Sequence, residues 1–321
     1  MRVFTKMLDK IWESMITYLL ISGYQKVYLL INIMHERICM SNGLPKAIIF
    51  GTGSSGQKVL PLAQQQYQVV AFVDNDKKRW GQTIEGLLIY SPDKILEIEY
   101  EMIIIASLPG LEPITEQLLN MGVKRGNINN EYVALSVKSR IVFLEKLAEL
   151  FTDKNIAGCV AEGGVFQGEF AKEINRIFPS SKFYLFDTFS GFDEKDVLVE
   201  RKFQYSEFGT GHLNITNEDL VISKLINPDV CFIRRGYFPE TTEGIDEKFC
   251  FVNLDFDLYN PTLAGLEYFI PRMVTGGVIL IHDYFTDGYK GVKEAINRYT
   301  EKNKKLQLFP IGDGFSIGIQ C

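Results

Sequence analysis

The sequence lacks a cysteine framework. Its five cysteines are scattered over 321 residues, with no CxxC pair and no even number that a set of disulfides would need. With 46% hydrophobic and 23% charged residues, the chain can bury sizeable cores without a disulfide or metal staple. The pattern is typical of reduced, mostly buried thiols, so we expect a cytoplasmic protein.

Clustered basic residues are also missing. The net charge is -6 at pH 7, and the isoelectric point is near 5.3. A nucleic-acid-binding surface normally carries a concentrated patch of lysine and arginine. We therefore expect no nucleic-acid partner.

A long, unbroken apolar run is absent as well. The first apolar stretch, "MITYLLISGYQKVYLLINIM", is interrupted by Gly23, Gln25 and Lys26, and no small-residue cleavage site follows it. Neither a signal peptide nor an integral membrane span is expected. Residues 1–44 are predicted to form a helical segment that packs on the core or on the second subunit of a homodimer. A peripheral membrane contact is the alternative.

What the sequence does contain is an alternation of short apolar strands with helical stretches, which predicts parallel βαβ units. The length is roughly twice that of a usual domain. We predict a small Rossmann-like domain at 45–135 and a second Rossmann-like α/β domain at 136–321. The "GDG" turn near the end of the chain predicts a terminal β-hairpin.

The first glycine loop follows a predicted strand in "KAIIFGTGSSGQKVL". Gly51, Gly53 and Gly56 match GxGxxG, and Asp74 ends the next strand at a distance suited to a ribose hydroxyl. These residues predict a nucleotide-binding site. A structural or oligomerising role and NAD chemistry are the alternatives, although the domain contains no Tyr-x-x-x-Lys hydride-transfer signature.

The continuation of this domain, "FVDNDKKRWGQTIEGLLIYSPD", carries Gly81, Ile84, Gly86 and Ile89 in a "G..I.G..V" pattern. It resembles the small Rossmann-like N-terminal domains of sialic-acid-type and bacillosamine-type acetyltransferases. That resemblance implies recognition of a nucleotide sugar.

The second glycine loop, "VAEGGVFQGEFAKEI", has ExGxxxG spacing, a form common in S-adenosylmethionine sites. Glu162 is placed to face the positive charge or amino group of this cofactor, and Asp187 ends the following strand, where it can accept from ribose hydroxyls. Tight packing and a helix cap are the alternative explanation. The predicted cofactor residues of this domain are Glu162, Gly163, Gly164, Gly168, Asp187, Tyr237 and Phe238, the last two as possible neighbours of the adenine or as core residues.

The stretch "FCFVNLDFDLYNP" delivers two carboxylates one residue apart. In an extended strand Asp255 and Asp257 would point to the same face, where like charges repel each other. A strand end followed by a helix explains Asn260 and Pro261 as an N-cap and first helical residue. It does not explain two acids on one face.

The motifs "AEGGVFQGEFA", "FDTFSGF", "GYFPETT", "VNLDFDLYNPTLAGLEYF", "GGVILIHDY" and "GDGFSI" occur in the order and spacing of the macrocin O-methyltransferase family, which residues 137–321 resemble. The resemblance implies a class I S-adenosylmethionine-dependent methyltransferase fold and methylation of a sugar hydroxyl. It also implies that Asp255 and Asp283 bind a divalent metal and that Asp257 is the general base.

One departure from the family pattern is "HD", His282 and Asp283, where two adjacent acids are usual. Imidazole is a better ligand for Mn²⁺, Fe²⁺ or Zn²⁺ than for Mg²⁺. His282 is therefore a candidate third metal ligand, with Mg²⁺ or Mn²⁺ as the expected metal. Alternatively, it is the general base of a metal-free site.

Together these features predict an O-methyltransferase acting on a nucleotide sugar, a surface glycan or a glycosylated metabolite. The alternative is a noncatalytic scaffold that binds a nucleotide or nucleotide sugar and whose methyltransferase domain has decayed.

Overall fold

The computed structural model describes residues 43–107, 110–302 and 306–321. The chain divides into two compact units between Asn129 and Asn130, here called unit 1 and unit 2. The predicted domain boundary, between 135 and 136, falls inside the helix Glu131–Lys154. The helical segment predicted for 1–44 lies outside the described residues, apart from 43 and 44. In the ranges given, no helix has both the length and the apolar character to cross a membrane.

Unit 1 is built on a six-stranded sheet in the order β3-β4-β2-β1-β5-β6. All neighbouring strands are parallel except β3 and β4. The central strands read as continuous apolar runs because both faces of a parallel sheet are covered. The elements are β1 Lys46–Phe50, α1 Ser54–Ala63, β2 Gln68–Val73, β3 Thr83–Ile84, β4 Leu87–Tyr90, β5 Met102–Ile105, α2 Leu111–Asn120 and β6 Ile128–Asn129.

The "G..I.G..V" segment of unit 1 forms the β3-β4 hairpin. Its two turn residues, Glu85 and Gly86, both have positive φ, 48° and 79°. A two-residue turn with this conformation matches the twist of antiparallel strands.

Unit 2 contains a seven-stranded sheet in the order β12-β13-β11-β10-β7-β8-β9. β13 is antiparallel to both of its neighbours, and the other pairs are parallel. The predicted fold class, two Rossmann-like α/β units of which the second is a class I methyltransferase fold ending in a β-hairpin, is confirmed. The elements are α3 Glu131–Lys154, β7 Cys159–Gly163, α4 Glu169–Ile177, β8 Phe183–Asp187, α5 Glu194–Phe203, α6 Glu218–Lys224, β9 Cys231–Arg235, β10 Phe249–Leu254, α7 Tyr259–Phe269, β11 Met273–Ile281, α8 Lys290–Lys302, β12 Gln307–Pro310 and β13 Ile317–Gln320.

The register of the central strands places the ends of β7, β10 and β11 side by side. Leu254 pairs with Gly163 on one side and with Ile281 on the other. The residues that follow, including Asp255 and His282, therefore leave the sheet at the same edge. In open α/β sheets this carboxyl edge is where ligands bind.

Candidate active site

The acids predicted from sequence collect at the carboxyl edge of the unit 2 sheet. Glu162 and Asp187 lie at the ends of β7 and β8, while Asp255, Asp257 and Asp283 follow β10 and β11. The topology thus gathers residues that are up to 121 positions apart, since β7 with Glu162 and β11, which Asp283 follows, lie on either side of β10.

The glycine loop after β7 crosses closely over the segment after β10. Gly164 has φ +81°, and a Cβ at this position would lie 2.0 Å from the carbonyl oxygen of Asp255. The backbone N–H of Asp255 donates to the carbonyl of Gly163 at 2.7 Å. The absence of a side chain at Gly164 is thus required by the fold itself, in addition to any contact with a cofactor. Gly168 is the N-cap of helix α4, also at positive φ.

Asp187 is held rigidly by backbone donors. Its Oδ2 accepts from the N–H of Phe166 at 2.8 Å, and its Oδ1 accepts from the N–H of Phe189 at 2.7 Å. Burial raises the pKa of Asp187, and these backbone hydrogen bonds oppose the shift. The carboxylate is therefore fixed against the glycine loop. Its role toward ribose hydroxyls stays a prediction.

Glu162 is 2% exposed. Its Oε1 accepts from Nδ2 of Asn253 at 2.8 Å, whereas its Oε2 is buried with no hydrogen-bond partner in the described part of the chain. Burial raises the pKa of Glu162 well above its usual range, and the negative charge of Asp255 adds to this shift. A buried carboxylate oxygen without a donor is the kind of group that a cationic ligand would satisfy.

Asp255, His282 and Asp283 form a close cluster. Nδ1 of His282 lies 3.1 Å from Oδ1 of Asp255 and 2.8 Å from Oδ2 of Asp283. One potential ligand atom from each residue lies within 4.8 Å of the others. Thr286 donates to the second oxygen of Asp283 at 2.7 Å. These are the three residues that the sequence proposed as metal ligands.

Protonation equilibria at this cluster are strongly displaced. Burial by itself would lower the pKa of His282, but the carboxylates of Asp255 and Asp283 outweigh it and raise the pKa to about 10. Burial, together with Asp283 and Asp255, raises the pKa of Asp257 well above its ordinary value. For Asp283 burial is outweighed by His282 and by hydrogen bonds, so that its pKa lies below the ordinary value. The positive charge of His282 thus offsets part of the repulsion among the acids.

The paired aspartates are not part of a strand, and the argument from alternating strand faces is wrong for them. Strand β10 ends at Leu254, and Asp257 has φ +65°, in the left-handed region. Asp255 and Asp257 still belong to the same cluster, since the charges of Asp283 and Asp255 both act on the carboxyl of Asp257. Short polar residues such as aspartate tolerate the left-handed conformation better than most.

Sequence reasoning missed Arg140 on helix α3. It is 7% exposed, and its guanidinium lies over the ring of Phe170, 4.1 Å from the centroid. Its Nη2 donates to Oδ1 of Asn253 at 3.3 Å and to Oδ2 of Asp255 at 3.4 Å. No local signal marks this arginine, since its polar partners lie 113 and 115 positions away.

Sequence reasoning also missed an aromatic cluster beside the acids. The ring of Tyr289 stacks on Phe208 at 5.1 Å, and Phe208 stacks on His212 at 4.1 Å. Burial raises the pKa of Tyr289, and the nearby charges of Asp257 and Asp283 raise it further. The segment between α5 and α6, which contains Phe208 and His212, therefore lies near the acid cluster.

Phe238 is a core residue, as one of the two sequence interpretations held. It is 4% exposed and packs against Phe186, Phe256 and Phe269. That it also flanks an adenine stays a prediction. Tyr237 donates its hydroxyl to Asp196 at 2.8 Å, and its place beside an adenine stays a prediction.

Glu200 holds the segment that follows Asp257. Its Oε1 accepts from the N–H of Tyr259 at 2.7 Å, at the start of helix α7, and its Oε2 is buried without a partner among the described residues. Burial raises the pKa of Glu200 from 4.5 to about 7, partly opposed by the Tyr259 hydrogen bond. Glu200 is 1% exposed, so solvent screening is weak.

We expect Glu200→Gln to flatten the pH dependence of stability. Because the folded-state pKa is raised, the folded protein binds a proton that the unfolded chain releases between pH 4.5 and 7. The wild-type free energy of unfolding should therefore fall as the pH rises through this range, by about 3 kcal/mol at most. Glutamine keeps the acceptor for Tyr259 and carries no charge.

The measurement is urea unfolding of unit 2 at pH 5 and pH 7.5, followed by circular dichroism. Glu194→Gln on the exposed side of the same helix is the matched control and should behave like the wild type. Equal pH dependence in wild type and Glu200→Gln would contradict the expectation.

The glycine loop of unit 1 is closely packed around its acid. A Cβ on Gly56 would lie 2.0 Å from the carbonyl oxygen of Gly51, whereas Gly53 faces open space. Asp74 accepts from the N–H of Thr52 and from the N–H of Asp76, both at 2.8 Å. The loop thus has a Rossmann-like conformation, and its nucleotide-binding role stays a prediction.

Two family models match the chain, and their boundary lies at the division between the units. One, described as C2185-like, N-terminal, matches residues 43–129. The other, described as Macrocin-O-methyltransferase (TylF), matches residues 131–311.

A curated relative comes from Streptomyces olivaceus. It is the 8-demethyl-8-(2,3-dimethoxy-alpha-L-rhamnosyl)-tetracenomycin-C 4'-O-methyltransferase, 26% identical over 173 residues. The alignment covers 50% of this chain and 64% of the relative. The chain therefore spans less than two thirds of that protein's length.

Two solved structures are similar to parts of the chain. The O-methyltransferase NovP has a TM-score of 0.47 at 20% identity, covering 57% of this chain and 79% of NovP. The calicheamicin methyltransferase CalS11 has a TM-score of 0.46 at 17% identity, covering 67% of this chain and 86% of CalS11.

Proposed function

The chain belongs to the macrocin-O-methyltransferase (TylF) family, and on this premise we propose that unit 2 transfers a methyl group from S-adenosylmethionine to a hydroxyl group of a sugar. The acceptor is a nucleotide sugar, a surface glycan or a glycosylated metabolite. The Streptomyces relative, whose name describes methylation of a rhamnosyl group, supports the sugar class.

The observation that carries the proposal is the cluster of Asp255, His282 and Asp283, with Asp257 beside it, at the carboxyl edge of the sheet. A sugar hydroxyl holds its proton far above neutral pH and needs a base and a nearby positive charge to become a nucleophile. The carboxylates of the cluster can act as the base. His282, or a metal ion bound by the cluster, can supply the positive charge. A decayed scaffold has no requirement for this arrangement.

The residues around the glycine loop fit S-adenosylmethionine. This cofactor supplies an electrophilic methyl carbon on a positively charged sulfur, which leaves as a neutral thioether. The unpartnered Oε2 of Glu162 suits a cationic group, and the rigid carboxylate of Asp187 still has lone pairs for ribose hydroxyls. The chain's contribution is mainly to align the cofactor with the acceptor.

Asp257 is the proposed general base, which accepts the proton of the acceptor hydroxyl. Its turn conformation aims it at the same cluster as Asp255 and Asp283. Tyr289 and the ring of Phe208 beside it form one wall next to these acids. Aromatic rings pack well on the apolar faces of sugars, so we place the acceptor between this wall and Asp257.

The cluster also fits a divalent cation, with Asp255, His282 and Asp283 as its ligands. Two carboxylates and one imidazole suit Mn²⁺ better than Mg²⁺, because an imidazole nitrogen is a softer ligand than oxygen. Such an ion would stabilise negative charge that develops on the acceptor oxygen.

Calorimetry and a methyl-transfer assay test the proposed function. We expect the full chain to bind S-adenosylhomocysteine and to transfer labelled methyl groups from S-adenosylmethionine to a rhamnose-type nucleotide sugar or glycoside. Binding of a nucleotide sugar without binding of S-adenosylmethionine or S-adenosylhomocysteine would instead support the noncatalytic scaffold.

We expect EDTA to lower the turnover number at least about 100-fold, with recovery on adding Mn²⁺ and weaker recovery with Mg²⁺. Asp255→Ala should lose turnover in the same way, without recovery. The control is S-adenosylhomocysteine binding, which EDTA should leave unchanged. Full activity in EDTA would exclude a required metal and leave His282 as the positive charge of the cluster.

A further inference from the structure

Arg140 is a buried cation whose hydrogen bonds are incomplete. A guanidinium offers five N–H donors, and burying it is costly unless they are satisfied. Only Nη2 makes hydrogen bonds in the described structure, and both, at 3.3 and 3.4 Å, are long. Nε is buried and has no partner among the described residues. The ring of Phe170 fixes the plane of the group from below.

Asn253 connects Arg140 to Glu162. This asparagine is 0% exposed; its Oδ1 accepts from Arg140 at 3.3 Å, and its Nδ2 donates to Oε1 of Glu162 at 2.8 Å. The carboxylate that pairs with Arg140 is Asp255, at 3.4 Å, rather than Glu162. The side-chain amide of Asn253 thus lies between Arg140, whose Nε has no acceptor among the described residues, and Glu162, whose Oε2 has no donor among them.

Two unsatisfied groups of opposite character, connected through Asn253 in a buried site, match a ligand that carries both charges. Buried donors and acceptors in folded proteins are nearly always paired, so both atoms require an explanation. An α-amino acid group offers a carboxylate for Nε of Arg140 and an ammonium for Oε2 of Glu162. Arginine is well suited to the carboxylate, because its fork geometry matches two oxygens.

We infer that Arg140 binds the carboxylate of the amino-acid end of S-adenosylmethionine, with Asn253 holding Arg140 and Glu162 at the spacing of the zwitterion. The inference rests on the proposed function. It makes Arg140 a cofactor-binding residue supplied by helix α3, ahead of the glycine loop. The guanidinium of Arg140 also contacts Asp255. Arg140 therefore connects the cofactor site to the acid cluster that activates the acceptor hydroxyl.

The test compares two ligands that differ only in the carboxylate: S-adenosylhomocysteine and its decarboxylated form. By calorimetry, the wild-type chain should bind S-adenosylhomocysteine about 10- to 100-fold more tightly, the range expected for charge-assisted hydrogen bonds. In Arg140→Gln this preference should fall to less than about threefold, with affinity for the decarboxylated ligand nearly unchanged. Arg140→Lys keeps the positive charge but lacks the two parallel N–H donors of a guanidinium. It should therefore show part of the wild-type preference for S-adenosylhomocysteine.

Arg298→Gln is the matched control, because this arginine is exposed on helix α8 of the same unit. It should retain the full wild-type preference. If Arg140→Gln does not fold, Phe170→Leu, which removes the ring beneath the guanidinium, should weaken the preference without removing the charge.

Two outcomes would overturn the inference while leaving the proposed function intact. One is a wild-type chain that binds both ligands equally well. The other is an Arg140→Gln chain that keeps the preference and loses only turnover, which would make Arg140 a positioning residue for Asp255. A wild-type chain that binds neither ligand would instead contradict the proposed function, and this inference with it.

Discussion

Asp257→Asn is expected to lower the turnover number by a factor of about 10² to 10⁴, the range for loss of a general base. Asparagine has nearly the shape of aspartate and tolerates the left-handed φ of +65° at this position. Its amide cannot take the proton of the acceptor hydroxyl. Affinity for S-adenosylhomocysteine should stay within about threefold of the wild type, because Asp257 is not among the residues assigned to the cofactor.

Steady-state methyl transfer and calorimetry on the same preparation separate these effects. Asp153→Asn, at an exposed position on helix α3, is the matched control and should leave both quantities unchanged. Turnover within tenfold of the wild type would show that another group accepts the proton. His282 is then the residue to replace.

Gly164→Ala is expected to lower the free energy of unfolding of unit 2 by about 4 kcal/mol or more, enough to prevent stable folding in many proteins. Two costs combine. The residue has φ +81°, and the added Cβ would lie 2.0 Å from the backbone oxygen of Asp255, which no side-chain movement relieves. The clash is with the segment that carries the proposed metal ligand, so any protein that folds should also lose turnover.

Gly244→Ala separates the two costs. Gly244 has nearly the same φ, +77°, but no atom lies within 4 Å of its would-be Cβ. Its substitution should therefore cost about 1 kcal/mol, for backbone strain alone. Urea unfolding of both variants gives the comparison, and similar losses for the two would show that the loop can move away from Asp255.

Most of the fold could be predicted from local sequence. Apolar runs such as "KAIIF" and "FCFVNL" become strands because a parallel sheet buries both faces. The terminal hairpin follows from "GDG", where Gly312 and Gly314 take the positive φ that glycine allows. No local pattern predicted the strand order at this edge, with β13 between β11 and β12.

The candidate site could be predicted in its composition but not in its geometry. Acids that follow parallel strands meet at one sheet edge, so Glu162, Asp187 and Asp255 were identified from their positions after apolar runs, whereas Asp283 came from the family resemblance. The common face of Asp255 and Asp257 was predicted for the wrong reason. The strand stops at Leu254, and a turn, rather than strand alternation, brings Asp257 to the cluster.

By itself the sequence determined which residues have strand, helix and turn propensity, where glycine loops follow strands, and which acids come at the ends of apolar runs. These are local properties, decided by side-chain type and spacing of two to four residues. Only the tertiary structure decided that Arg140 and Glu162 share Asn253, that Nδ1 of His282 lies between two carboxylates, and that Phe238 is enclosed by the core. Burial, hydrogen-bond satisfaction and pKa depend on atoms more than 100 positions away in sequence, and packing alone brings those atoms together.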